Sequence, residues 1–371
     1  MPVKEFEKTQ IHSFIEPTDL KRNLHLVINN AFVETPTPTF AINNRRYLGN
    51  KFKLNEFIYH NIISECGDFS SFADLFAGTG SVASLFQDKQ LIVNDILYSN
   101  YVCHQTWFGT DKFSKSKIIK YLNQYNTSKV SRDNYFSKHY SNTYFSKENC
   151  RKIGYIRENI ENNFKAGNIN LREKCILITS LLYAMDKIAN TCGHYDAYRR
   201  SGELDKDLIL GFPKIEQSNS KNKLYNEDIN KLVKNISADV VYLDPPYNSR
   251  QYCDAYHLLE NVAKWEKPSV FGVAKKMDRS KLKSDYCTTS ATKAFEDLIE
   301  NINAKYIVLS YNNMAEKGND RSNAKISDED IYRILGKKGK VKTFEQEYKA
   351  FSTGKSNIEE NAERLFICQC Y

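Results

Sequence analysis

The chain is short of the residues that break or staple a fold. Only 15 glycines and 8 prolines occur among 371 residues, too few for a fibrous or low-complexity chain. No apolar run approaches the roughly 18 residues of a membrane-spanning helix, so no membrane association is expected. No C-x-x-C pair meets a second one, which removes the usual zinc frameworks and leaves no metal site to expect. The nine cysteines are odd in number and scattered. Cys368 and Cys370 alternate at the end of a strand-like run and read as buried free thiols. The opening MPVKEFEKTQ is too polar for a secretory signal. With reduced cysteines, it points to the cytoplasm.

What is present is charge, aromatic rings and length. The net charge is +8 with a pI near 8.8. That excess suits a polyanionic partner, but a lysine-rich surface produces it equally well. A chain of this length fits one sizeable α/β core plus an inserted or appended subdomain. Leu20, Leu24, Leu26 and Val27 form one short helical pattern, and VETPTPTF at 33–40 reads as an extended connector. Beyond it, SFADLF at 71–76, LIVND at 91–95, VVYLD at 240–244 and KYIVLSYN at 305–312 read as strands. The first two are followed by helical stretches, the first through a glycine turn. KVKTFEQEY and RLFICQCY are expected to close the sheet. Strands alternating with helices predict a mostly parallel sheet covered on both faces.

Capping chemistry places three helices. Ser146 is a natural N-cap for a helix with Ile153, Ile156, Ile160 and Phe164 on one face. LREKCILITSLLYAMDKIAN at 171–190 is helical and mostly buried, and Ser327 caps SDEDIYRILG, which Gly336 ends. The interval from about 100 to 225 does not otherwise follow the alternation.

Two short stretches carry chemistry. FAGTGSVA at 76–83 sets Gly78-x-Gly80 between a strand and a helix, where glycine allows a tight turn and close backbone approach. Asp95, at the end of the next strand, is placed to accept hydrogen bonds from ribose hydroxyls. The pattern fits a nicotinamide dinucleotide or S-adenosylmethionine equally. The second stretch is Asp244-Pro245-Pro246-Tyr247. Asp244, preceding proline, is held extended, and neither proline has an N–H to donate. The loop therefore offers acceptors, the Asp244 carboxylate and the Pro245 carbonyl, beside one aromatic ring. That arrangement receives a planar exocyclic amine, whose two hydrogens go to the acceptors while its ring stacks on Tyr247. A rigid turn with a capping aspartate is the plain alternative for a lone D-P-P.

In combination these motifs resemble the Dam-like, D12 class of N6-adenine DNA methyltransferases. DPPYNSRQY resembles a subset of bacterial restriction–modification methylases within it. YLGNK at 47–51, FAGTG, VNDI at 93–96, YNEDI at 225–229 and DPPY follow in the family's order. The resemblance covers roughly residues 43–371. It implies a Rossmann-like seven-stranded sheet of the S-adenosylmethionine-dependent methyltransferase type, with a mostly helical target-recognition region inserted between VNDI and DPPY. The implied division is an N-terminal extension and linker at 1–40, a cofactor-binding half at 41–110, the insertion at 111–222, and a catalytic half at 223–371. It also implies that Tyr47, Lys51, Asp74, Phe76, Gly78, Gly80, Asp95 and Asp228 bind S-adenosylmethionine. Asp244, Pro245, Pro246 and Tyr247 would be catalytic, acting on an adenine flipped out of double-stranded DNA.

Two stretches are candidates for holding DNA. GVAKKMDRSKLKS at 272–284 brings Lys275, Lys276, Arg279 and Lys281 within reach of phosphates. The 112–157 region with His194 and Tyr195 lies roughly where related enzymes place recognition elements. Asn248 and Arg250 would either steady the catalytic loop or touch the flipped nucleotide. The family's usual recognition-loop residues are absent, so a GATC target does not follow. The expectation is a site-specific adenine methyltransferase, working as a monomer, with a genetically linked endonuclease that makes no stable contact with it. The alternative is an adenine-N6 methyltransferase acting on ribosomal RNA. A dehydrogenase leaves DPPY without a purpose, and a catalytically dead DNA-binding module conflicts with the intact Asp244 and Tyr247.

Overall fold

The computed structural model describes residues 37–202, 204–217, 219–312, 324–347 and 362–371. The helical pattern expected around Leu20–Val27 lies outside the described residues, as does the connector before residue 37. Thr39–Phe40 then runs extended, pairing in parallel with Phe212–Pro213. Helix α1 (Asn55–Cys66) leads into strand β1 (Ser71–Asp74). β2 (Gln90–Asn94) is followed by α2 (Tyr98–Phe108), α3 (Lys115–Thr127), α4 (Tyr135–Tyr140), α5 (Lys147–Lys165) and α6 (Leu171–Ile188). The sheet resumes with β3 (Lys223–Tyr225) and β4 (Ala238–Leu243), then α7 (His257–Lys264) and α8 (Ala291–Asn301). β5 (Ala304–Asn312), α9 (Asp328–Gly336), β6 (Gly339–Glu347) and β7 (Ala362–Cys370) complete it.

The seven strands lie in the order β3-β2-β1-β4-β5-β7-β6. All pairings are parallel except those of β7, which runs antiparallel between β5 and β6. This is the seven-stranded, mostly parallel sheet that the resemblance implies. Phe72, Val93, Val240 and Val308 face one apolar layer, while Ala73, Ile92, Val241 and Ile307 face the other. Period-two alternation buries both faces, as a parallel sheet requires. The strand order reverses between β1 and β4, where Phe72 pairs with Val240 and Asp74 with Tyr242. A cleft opens beyond the carboxyl ends of strands at such a switch point.

Several expectations are refined. β1 stops at Asp74 because Leu75–Ala77 already turns; only a single 3-10 turn, Ala83–Phe86, follows the glycines. β3, a short and lysine-bearing edge strand, had no apolar signal to announce it. Ser146 caps α5 by accepting from the Asn149 amide, and Ser327 caps α9 from the Asp330 amide (3.2 Å each). The Asp330 carboxylate in turn accepts from the Ser327 hydroxyl (3.2 Å). Among the described residues no helix is long and apolar enough to cross a membrane, and every cysteine is a free thiol.

One buried cation ties the irregular interval to the catalytic side of the sheet. Arg157 of α5 is fully buried. Its Nε donates to the Val262 carbonyl (2.6 Å) and one Nη to that of Ala263 (3.3 Å), with Glu161 as counter-ion at 3.1 Å. These are the last carbonyls of α7, which would otherwise lack partners. Arg157→Ala should strand them and cost about 3 kcal/mol, the sum of two modest desolvation penalties. Chemical denaturation reads this; a loss under about 0.5 kcal/mol, typical of surface sites, would refute the clamp.

Candidate active site

A cavity of about 800 Å³ occupies the switch point. Its walls bring together Tyr47, Lys51, Asp74, Phe76, Gly78, Asp95, Asp228, Asp244 and Pro246, residues drawn from every motif the sequence singled out. Gly78 (φ 53°) and Gly80 (φ 81°) both sit in left-handed backbone. Gly78's amide donates to Asp95 Oδ2 (2.8 Å), so the glycine turn and the acid closing β2 are locked together. Gly80 does not line the cavity; a Cβ there would lie 2.8 Å from the Phe108 ring. Its role is to let the turn pack.

Asp95 also accepts from the Leu97 amide (2.8 Å), and burial raises its carboxyl to about 6 against those amides. Asp74 is buried beside it. Oδ2 accepts from the Ala83 amide (3.2 Å), while Oδ1 has no partner among the described residues. Burial, then the nearby Asp244, hold this carboxyl well above the ordinary carboxylate range. Asp228 is exposed at the rim and caps the turn Ile229–Leu232 through the Lys231 amide (3.2 Å). Tyr47 stacks on Tyr256 with centroids 4.5 Å apart, and its hydroxyl accepts from Asn100 (3.0 Å). Phe76 meets Tyr286 edge-on at 5.1 Å.

The loop after β4 supplies the opposite wall. Asp244 Oδ1 lies 2.9 Å from Lys51 Nζ, and the same ammonium is 3.3 Å from Glu363 of β7. Glu363 in turn accepts from the Ser310 hydroxyl of β5 (2.6 Å). Burial lifts the Asp244 carboxyl to about 6; Lys51 pulls it down and Glu363 pushes it up. Pro245 is buried and Tyr247 half-buried, the latter edge-on to Tyr311 at 6.3 Å. Asn248 accepts from the Arg250 amide (3.0 Å), so its side chain steadies the loop.

Sequence reasoning missed five contributors. Glu363 is far along the chain from Lys51, and only sheet closure joins them. His104, kept neutral by burial at about 4, sits 3.0 Å from the Gly78 carbonyl under the turn. Gln251 and Ser284 exchange two hydrogen bonds, side-chain amide to backbone at 3.0 and 2.8 Å, pinning the catalytic loop to the 280–288 segment. Tyr286, on that segment, closes the cavity. The clue for Gln251 was its place in NSRQY.

The residues expected to hold DNA separate. Tyr195 is a correction: it is 2% exposed, and its hydroxyl donates to the buried Asp186 (2.7 Å). It is a core tyrosine, out of reach of any duplex. His194 is half-buried against Asp196. Lys276 pairs with Asp196 (2.8 Å) and Arg279 with Asp254 (2.5 Å), so both cations are already partnered. Lys281 lines the mouth of the cavity instead. Lys275 sits in a hairpin tip with φ 52°, and Arg250 is exposed beside the catalytic loop.

The geometry joins a glycine turn, a row of strand-end acids, and Asp244 and Pro246 of D-P-P-Y in one cavity, and the comparisons agree with it. The profile of the D12 class N6 adenine-specific DNA methyltransferases matches residues 47–320. The chain belongs to that family. It is 38% identical over 308 residues to Modification methylase StsI of Streptococcus sanguinis, covering 78% of this chain and 46% of that one. Type II methyltransferase M.NlaIII of Neisseria lactamica is 33% identical, covering 85% and 96%. Type II methyltransferase M.FokI of Planomicrobium okeanokoites is 31% identical, covering 86% and 51%. The chain thus spans about half the length of StsI and FokI, and nearly all of NlaIII.

The cavity suits this family's cofactor, S-adenosylmethionine, on its own chemistry. A sulfonium and an amino group are cations, and the walls present Asp74, Asp95, Asp228 and Asp244; the unpartnered Oδ1 of Asp74 is an acceptor in waiting. Among the described residues no group of His, Cys, Asp and Glu could hold a metal.

Lys51→Met removes the only cation bonded to Asp244 among the described residues while Glu363 stays. The Asp244 carboxyl should then rise above about 6, since loss of an opposite charge disfavours the ionised form. Carbon-13 titration of the side-chain carboxylates measures it, and an unchanged or lowered value would remove Lys51 from the electrostatics.

Proposed function

We propose that this chain is a site-specific DNA methyltransferase that transfers a methyl group from S-adenosylmethionine to N6 of an adenine flipped out of double-stranded DNA. The observation that carries the reading is the Asp244 carboxylate facing the same cavity as the Gly78 turn. When bound there, S-adenosylmethionine supplies an electrophilic methyl group. Asp74, Phe76, Gly78 and Asp95 would hold it, with Tyr47 and Lys51 on one side and Asp228 at the rim.

The chain's own residues supply orientation and polarisation. The Asp244 carboxylate and the Pro245 carbonyl accept the two hydrogens of the amine, turning its lone pair out of conjugation. Tyr247 stacks on the base, and Pro246 keeps the loop stiff. Fixing the amine in line is worth several kcal/mol by itself, and the partly dry cavity strengthens each hydrogen bond. A base within the duplex stack cannot present N6 to this cavity, so extrusion is part of the reading.

In the wider assignment, residues 41–110 and 223–371 form the two halves of the catalytic domain, and 111–222 carries target recognition. Residues 1–40 are an extension. Asn248, Arg250, Lys275, Lys276, Arg279, Lys281 and His194 border the face where DNA would lie. The enzyme would act in the cytoplasm as a monomer, and as the modification partner of a genetically linked endonuclease without stable contact.

The test is incubation with radiolabelled S-adenosylmethionine and duplex DNA beside ribosomal RNA, followed by identification of the labelled nucleoside. N6-methyladenine in DNA alone is expected; label in RNA alone would replace the substrate and keep the chemistry. Asp244→Ala should lower kcat at least about 100-fold, the usual loss for a preorganised polar contact, with cofactor affinity within a few-fold. A variant that kept most of its activity would remove Asp244 from catalysis. The ionised carboxylate is the stronger acceptor, so kcat/KM, which reports the free enzyme, should fall as pH drops through about 6. A profile flat down to pH 4.5 would contradict the role.

A further inference from the structure

The most exposed large apolar side chains near the catalytic loop lie on one hairpin tip. Phe271 is 64% exposed and Val273 79%. Phe271 and Lys276 exchange two backbone hydrogen bonds (2.7 and 3.0 Å), closing a tight loop through Gly272 (φ 67°) and Lys275 (φ 52°). Solvated loops of this kind ordinarily carry polar residues. Here two apolar side chains stand in water.

The tip is held rigidly. Tyr135 donates its hydroxyl to the Pro268 carbonyl (2.6 Å) and Tyr140 to that of Lys275 (3.3 Å), while the Tyr144 hydroxyl lies 2.9 Å from the carbonyls of both Ala274 and Tyr195. Tyr140 and Tyr144 are themselves buried. The hairpin's base is also fastened beside the catalytic loop, since Lys276 and Arg279 pair with Asp196 and Asp254. Asp254 lies in the turn Tyr252–Ala255, directly after NSRQ. Three buried or half-buried tyrosines from around α4 therefore brace an apolar projection whose base is fastened to the turn that follows D-P-P-Y-N-S-R-Q.

We propose that Phe271, with Val273, is a wedge that enters the DNA base stack where the target adenine leaves it. The inference rests on the function proposed above. A flipped base leaves a gap costing a few kcal/mol in lost stacking and pairing, and apolar side chains inserted between base steps offset it. Rigidity matters, because a wedge that had to be ordered on contact would lose part of that gain as entropy. Lys275, in the same tip, follows the wedge towards the phosphates.

The test compares the parent chain with Phe271→Ala/Val273→Ala on two duplexes. One carries a normal target pair, the other a mismatch opposite the target adenine, which lowers the extrusion cost. On the paired duplex kcat/KM should fall about 10- to 100-fold, equivalent to a few kcal/mol; on the mismatched duplex the deficit should shrink to within about threefold. Phe271→Trp should restore most of the paired-duplex rate, and 2-aminopurine at the target position should brighten less in the double variant. An equal loss on both duplexes, or none, overturns the wedge. So does sedimentation showing that the parent chain dimerises, the variant does not, and the two duplexes are hit alike; the tip would then be a contact between copies. Failure of the parent chain to methylate any duplex would instead sink the function on which the wedge rests.

Discussion

A single buried ammonium organises the reacting end of this molecule. Lys51 lies between Asp244 and Glu363, and without it two carboxylates would share a poorly hydrated space. Like charges so placed cannot both ionise at moderate cost. The lysine therefore makes it possible to keep a charged acceptor at the edge of β4. It also joins three distant stretches of chain: the segment after residue 47, the loop after β4 and the final strand. Breaking a buried pair leaves an uncompensated charge, which costs more than the pair contributes. The site and the closure of the sheet are for that reason one electrostatic unit.

The sheet order explains why the acids gather. Asp74 ends β1, Asp95 follows β2 and Asp244 follows β4, and these are the three strands around the reversal in strand order. The crossover connections leave the cleft open there. Each acid alone is an ordinary strand terminus. Together they make a cavity lined with acceptors, with the glycine amide already committed to Asp95. The helical interval between β2 and β3 adds the braces: Arg157 holds the end of α7, and a group of tyrosines holds the hairpin after it.

Local pattern carried much of this. Short apolar runs located β1, β2, β4, β5 and β7, because strands buried on both faces must be apolar along most of their length. Ser146 and Ser327 marked helix starts, since their hydroxyls satisfy amides that the helix itself cannot. D-P-P-Y was legible because proline limits its own backbone and that of the preceding residue whatever surrounds them. Tyr195 misled, because a tyrosine in a polar loop looks like a surface ring until its hydroxyl is seen to meet a buried aspartate.

Most of the strands, the glycine turn and the stiff acceptor loop were written in local residue order, all of them properties of residues within a few positions of one another. Which charges meet follows from the packing of distant segments. Glu363 reaches Lys51, Gln251 clasps Ser284, and Lys276 and Arg279 are neutralised by Asp196 and Asp254. No local pattern encodes such pairs, because a side chain's charge acts through space and its partner is chosen by how the sheet and its insertion pack.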